Sequence, residues 1–230
     1  MTRSNSSKNK VRIAAFDFDG TMIDAQSGTQ FAIYLLKHRL ISLRKVALVI
    51  LWGLRYSIHL PHEQNVVRSY LTSGLDGLPM NEVRSIMRDF HTERLHQYYV
   101  QDALREIRRL QKQGIVCVLL SATFQGITEI AAEHCGFDAS IGTKMQKGDD
   151  DRFIAEVDGK VIEGKEKLRA LVTWADERYG SSGWELEYAF GDHYTDEPLL
   201  EAAQHPVAVN PSQVLRKKAK QQGWPIVCWE

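Results

Sequence analysis

Ala14-Ala15-Phe16-Asp17-Phe18-Asp19-Gly20-Thr21 is the stretch on which the reading of this chain turns. The apolar run from Val11 to Phe16 predicts a buried strand that leads straight into two carboxylates separated by one residue. In an extended chain alternate side chains share a face, so Asp17 and Asp19 can converge on one reacting group. Gly20 then lets the backbone turn sharply and offers its N–H as an anion donor. Two acids at a strand end cost stability and supply chemistry.

The bulk properties narrow the setting. With 230 residues the chain can bury a full core and hold one domain plus an insertion. Lys+Arg and Asp+Glu both number 29, which argues against a generally basic nucleic-acid binder. Cys117, Cys135 and Cys228 lie in or beside apolar segments without metal-type spacing, so buried free thiols in a reducing, cytoplasmic setting are expected. Residues 1–10 are polar and basic, lack an apolar h-region and read as a disordered lead-in rather than a secretory signal. The uncharged run Val46 to Leu54 is far short of the roughly 20 residues that span a bilayer. It reads either as a buried or partner-facing helix or as an interfacial helix that makes weak, peripheral membrane contact through residues 44–56.

Two regimes of pattern follow the first strand. From residue 25 to 99 helices are expected over Phe31–Arg39, Leu43–Tyr56, Glu63–Leu71 and Asn81–Tyr99, punctuated by Pro61, Gly74, Gly77 and Pro79. After residue 100 helix and strand alternate. Helices are expected at Asp102–Gln113, Gly126–Cys135, Lys165–Arg178 and Ser212–Gln221, and strands at Ile115–Leu120, Glu187–Phe190, Val207–Val209 and Ile226–Val227. Asp158-Gly159 inside Phe153–Ile162 predicts a two-residue hairpin turn. Alternation of this kind means a parallel, helix-covered sheet: an α/β core over 11–24 and 100–230, interrupted by an all-helical insert over 25–99. Ligands of open parallel sheets bind at the carboxyl ends of the strands, where such an insert can act as a lid.

Three more blocks carry candidate chemistry. Ser121-Ala122-Thr123 follows an apolar strand and precedes a helix, a natural place to bind phosphate through a hydroxyl and free N–H groups. Gly164-Lys165-Glu166-Lys167 opens a helix, where either lysine can neutralise an anion. Gly191-Asp192-His193-Tyr194-Thr195-Asp196-Glu197-Pro198 ends a strand in one acid and places a second four residues on, with Pro198 suited to a first helical turn. Hard oxygen ligands of this kind suit Mg²⁺.

In order and context the four blocks resemble the motifs of the haloacid dehalogenase-like (HAD) superfamily, a likeness that runs from about Val11 to Ile226. The helical insert and the closing Gly223-Trp224-Pro225 look most like subfamily IB, the phosphoserine-phosphatase-like branch with a C1 cap. The resemblance implies a three-layer Rossmann-like parallel sheet and a Mg²⁺-dependent phosphomonoester hydrolase acting on a small organic phosphate. It implies Asp17 as nucleophile that becomes an aspartyl-phosphate and Asp19 as general acid and base. By the family's Gly-x-x-Lys pattern the phosphate-facing lysine is Lys167, with Lys165 as the alternative. Phe18, Gly20, Ser121 and Ala122 are implied for phosphate, and Asp17, the Asp19 carbonyl, Asp192 and Asp196 for Mg²⁺. Phosphoserine phosphatases carry a Glu seven residues beyond the second Asp of the first motif; this chain has Gln26 there, which speaks against phosphoserine, with Asp24 the nearby substitute. His193 reads as a surface residue or a substrate contact. A membrane-associated lysophospholipid or phosphatidylglycerol-phosphate phosphatase, a non-catalytic phosphometabolite-binding homologue, and a mutase or phosphonatase on the same core stay as alternatives.

Overall fold

The computed structural model describes residues 10–44, 47 and 64–230. Nearly all of the expected lead-in, and the apolar stretch 45–63 apart from Ala47, lie outside the described residues, so the expected helix over 43–56 and its membrane contact are not addressed. No helix among the described residues is long and apolar enough to cross a membrane.

Six strands form one parallel sheet. They are β1 (Val11–Phe16), β2 (Val116–Phe124), β3 (Ala139–Thr143), β6 (Trp184–Gly191), β7 (His205–Val209) and β8 (Ile226–Val227), in the order β3-β2-β1-β6-β7-β8. The order reverses at β1, the switch point at which open α/β sheets bind ligands. Strand alternation explains the two-sided core. Ile13 and Ala15 of β1 face one apolar cluster with Val118, Leu120 and Ala189, and Ala14 and Phe16 face another with Leu119 and Phe190. Helices α6 (Lys165–Tyr179), α7 (Glu197–Ala202) and α8 (Gln213–Gln222) supply Leu171, Leu199 and Leu215 to the first. Helices α4 (Gln101–Gln111) and α5 (Gln125–Cys135) supply Ile107 and Ile127 to the second. This is the three-layer α/β fold expected.

Among the described residues, the α-helices between β1 and α4 are α1 (Ser27–Lys37), α2 (Gln64–Thr72) and α3 (Met80–Phe90). The aromatic rings of α1 and α3 extend the second cluster, with Phe31 4.8 Å from Phe90 and 6.2 Å from Phe124. The helix expected over Asn81–Tyr99 is shorter than the pattern predicted. It passes into one π turn at His91–Leu95 and a 3₁₀ turn at His96–Tyr98, and Tyr99 is extended, bridged to Ile23. His91 and Leu95, at the two ends of the π turn, are both buried.

The hairpin is a second correction. Strand β5 (Phe153–Val157) pairs with β4 (Met145–Lys147), and the turn between them lies at 148–151, where Asp151 adopts φ 61°. Asp158-Gly159 follows β5 instead; the Asp158 N–H is donated to the Lys144 carbonyl, which closes the base of the hairpin. Of the cysteines Cys117 is buried and Cys135 half-buried, but Cys228 is exposed, contrary to expectation, because it follows the short edge strand β8.

Candidate active site

The register of the sheet puts the motifs at one edge. Phe16 is level with Leu119 of β2 and Phe190 of β6, so Asp17 and Asp192 follow the carboxyl ends of β1 and β6, and Ser121 lies in β2 just beyond its last residue paired with β1. The Asp17 N–H still bonds the Phe190 carbonyl at 3.0 Å, which continues the ladder up to Asp17 and fixes its backbone.

Lys167 is the centre of the cluster. It sits in the first turn of α6, 3 % exposed, and its Nζ bonds both Asp17 Oδ1 and Asp196 Oδ1, the latter at 2.6 Å. Lys165 is exposed on the same helix, so of the two lysines it is Lys167 that is buried among the acids. Gly164 starts that helix at φ 57° and ψ −129°, a conformation that favours glycine and aims the first turn at the site. The carboxylates buried beside Lys167 hold its ammonium well above the ordinary lysine range.

Asp17, Asp192 and Asp196 each offer an oxygen within 4.8 Å of the others. Glycines make this crowding geometrically possible: a Cβ at Gly20 would collide with the Asp192 carboxylate, and one at Gly191 would lie 2.7 Å from Asp196 Cβ. Burial, with the negative charge of Asp196 next, pushes Asp17 up to about 7. Burial and then Asp17 push Asp192 up to about 9. One lysine therefore leaves the acids under-neutralised. Three hard oxygen donors with unspent negative charge, and no nitrogen or sulfur donor among them, fit Mg²⁺.

Asp19 turns away from this trio. Its carboxylate accepts the Ser27 N–H at 2.6 Å and the Ser27 hydroxyl at 2.9 Å, at the first residue of α1. Burial raises its pKa, opposed by the two Ser27 bonds, Lys167 and Arg68. Ser27 and Arg68 are residues the sequence did not flag. Ser27 is one ordinary helix-start serine among several, and Arg68 lies 49 positions from Asp19 with no motif around it.

The Gly20 N–H, expected free for an anion, is donated to the Ile23 carbonyl at 2.9 Å, so Gly20 serves the close approach of Asp192 instead. Phe18 is wholly buried against the site from behind, with its carbonyl accepting from Met22 at 2.8 Å. Ser121 is buried at 1 %, its Oγ accepting the Thr123 N–H at 3.0 Å, because β2 runs on to Phe124. Ala122 gives its carbonyl to the Thr143 hydroxyl at 2.8 Å. Gln26 is the N-cap residue of α1, exposed and without a side-chain capping bond, outside the acidic cluster. Asp24 is exposed. His193 is half-buried, its N–H on Asp196 Oδ2 at 3.2 Å and its Nδ1 3.1 Å from Thr195 Oγ1, so it braces the loop that carries both acids. Asp196, at the N-cap position of α7, makes no side-chain cap bond there and spends its carboxylate on Lys167 and His193.

A known family has this arrangement. The profile of the haloacid dehalogenase-like hydrolases matches residues 14–201, which include all four motifs. The chain belongs to the HAD family. Among curated relatives, histidinol-phosphatase of Neisseria meningitidis is 26 % identical over 94 % of this chain and 97 % of its own. Among solved structures, a Bordetella pertussis protein of unknown function superposes with TM-score 0.83 at 23 % identity, over 95 % of this chain and 99 % of its own. A phosphoserine phosphatase, solved as an analogue of its phospho-aspartyl intermediate, superposes with TM-score 0.63 at 18 % identity, over 96 % and 93 %. This HAD chain shares its fold with the phosphoserine phosphatases.

Proposed function

We propose that the protein hydrolyses a small organic phosphate monoester through a covalent phosphate on Asp17, in a Mg²⁺-dependent reaction. The observation that carries this reading is the buried meeting of Asp17, Asp192 and Asp196 around Lys167 at the switch point of the sheet. Asp17, the Asp19 carbonyl, Asp192 and Asp196 would hold Mg²⁺, which screens the approach of an anionic nucleophile to a phosphate and clamps phosphoryl oxygens.

The chain's own groups do the rest. Lys167 fixes the Asp17 carboxylate and offsets charge on the transferring phosphoryl group. An Asp17 oxygen forms a bond to phosphorus as the ester oxygen leaves, and Asp19 gives that oxygen a proton. Asp19, now a carboxylate, takes a proton from water as the water oxygen attacks phosphorus and the Asp17–phosphorus bond breaks. Inorganic phosphate is released and both acids return to their first state. Ser121 and backbone N–H groups at Phe18 and Ala122 complete the cradle. Residues 25–99 would form the cap that shields this chemistry from bulk water.

On the substrate side, a neutral Gln26 and the positive charge of Arg68 near Asp19 favour an ester without an isolated ammonium group. Release of p-nitrophenol from its phosphate ester, with Mg²⁺ and with EDTA, tests the reaction. Turnover with Mg²⁺ only is the expected result, and Asp17→Asn should abolish it while leaving thermal stability unchanged or raised, since a crowded buried acid is removed. Mg²⁺-dependent turnover in that variant would overturn the mechanism. Amino-alcohol, sugar and lysolipid phosphates then rank the leaving group.

A further inference from the structure

One buried hydroxyl joins two of the motifs. Thr143, the last residue of β3, is 0 % exposed; its Oγ1 donates to the Ala122 carbonyl at 2.8 Å and accepts the Ile162 N–H at 3.1 Å. Ala122 follows Ser121 directly. Ile162 lies two residues before Gly164, the residue from which α6 carries Lys167 into the site. The hydroxyl is fixed from behind as well: the Gly142 N–H bonds Gln125 Oε1 at 2.6 Å, and a Cβ on Gly142 would lie 2.9 Å from the Gln125 Cα. A methyl-for-hydroxyl exchange at Thr143 would leave the Ile162 N–H and the Ala122 carbonyl without this shared partner.

The same residue is the root of the β4–β5 hairpin, and the far end of that hairpin is bonded to the loop between α2 and α3. Gly77 N–H bonds the Phe153 carbonyl at 2.8 Å, and Phe153 N–H bonds the Leu78 carbonyl at 2.8 Å. Met80 N–H reaches the Asp151 carbonyl at 3.0 Å, and Ala155 N–H reaches Asp76 Oδ1 at 2.9 Å. Phe153 is buried in the same apolar cluster as Phe31 and Phe90. An edge strand held by paired backbone bonds and a buried ring moves with its partner, so the hairpin follows the helical insert.

We propose that Thr143 is a positioning residue for phosphoryl transfer. Its hydroxyl sets the Ser121–Ala122 segment of β2 and the Gly164–Lys167 turn against each other, and the hairpin ties that spacing to the place of α2 and α3. This rests on the reading of Ser121 and Lys167 as phosphate-facing groups. Misplacing such groups by a fraction of an ångström weakens transition-state binding more than substrate binding, so the cost falls on kcat.

The test compares full-length Thr143→Val, Thr143→Ser and Asp76→Ala with the wild type, by p-nitrophenyl phosphate kinetics in Mg²⁺ and by amide hydrogen exchange. Thr143→Val should lose about tenfold or more in kcat with little change in KM. Its amides from Ile162 to Lys167 should exchange faster, and Thr143→Ser should restore both readouts. An unchanged kcat, unchanged exchange at 162–167, or an equal loss in the serine variant overturns the proposal. If Thr143→Val does not fold, the exposed Asp76→Ala decides: faster exchange at Ala155 with a several-fold lower kcat supports the coupling, and a freed Ala155 with wild-type kcat overturns it. A wild type without turnover would instead sink the phosphatase site reading; exchange at 162–167 would still judge the role of Thr143.

Discussion

Asp17 and Asp19 are two residues apart and live in different surroundings. Asp17 shares a buried lysine with Asp196, whereas Asp19 is held by the N–H and hydroxyl of Ser27 at the start of α1. In the proposed mechanism environment, not residue type, separates Asp17 as nucleophile from Asp19 as acid–base. The separation predicts a kinetic signature. p-Nitrophenolate leaves without help from an acid, but hydrolysis of the phosphorylated Asp17 still needs a base. Asp19→Asn should therefore give a rapid burst of about one nitrophenolate per enzyme, followed by slow turnover, in a stopped-flow trace. Equal slowing of both phases would remove Asp19 from the second step. Lys167→Met probes the other side of the site. It leaves Asp17 and Asp196 buried without their shared cation, and the urea midpoint should fall by the equivalent of about 3–5 kcal/mol at neutral pH without Mg²⁺. The pairing of these acids with Lys167 over Lys165 is a tertiary fact, since both lysines fit the opening of α6 in the sequence.

At the scale of elements, the strands and helices of the core follow from patterning that is nearly unambiguous. Val116–Leu120 is continuously apolar because both faces of β2 are covered, and Ile226–Val227 falls where the alternation places it. The pattern fails where a local rule yields to packing. The helix expected to Tyr99 breaks at Phe90 because His91, Leu95 and Tyr99 must all turn inward. Asp158-Gly159 is good turn chemistry, but β5 finds its partner upstream, with the turn at 148–151. The π turn also carries a pH-sensitive group. His91 Nε2 lies 3.0 Å from the Tyr99 hydroxyl, and burial, helped by His134 and His96, lowers its pKa to about 4 from the ordinary 6.5. The unfolded chain takes up this proton first, so stability is complete above pH 6.5 and falls as pH drops towards 4. The loss from this group is on the order of 2–3 kcal/mol. Urea unfolding from pH 7.5 to 4.5 should be distinctly flatter in His91→Gln; parallel curves would show that His91 charges as easily in the fold as outside it.

Across the whole molecule, the acids that give the site its chemistry also weigh on its stability until a cation joins them. Mg²⁺ at about 100 times its Kd should stabilise the protein by about 2.7 kcal/mol, seen as a rise in Tm that EDTA reverses. Asp192→Asn should show most of that gain in the absence of Mg²⁺ and little further rise on adding it; a full Mg²⁺ response in that variant would take Asp192 out of the ligand set. The α/β core, the family motifs, their order along the chain and the edge of the sheet they occupy are all legible in the amino-acid pattern. Strand periodicity and the short range of a strand–loop–helix turn leave those residues few places to go. The burial of Lys167 over Lys165, the action of Ser27 and Arg68 on Asp19, the engagement of the Gly20 N–H and the bridge that Thr143 makes between two motifs come from the folded arrangement alone. Each of these joins residues far apart in the chain or competing for one partner, and such choices depend on three-dimensional packing, which local pattern does not encode.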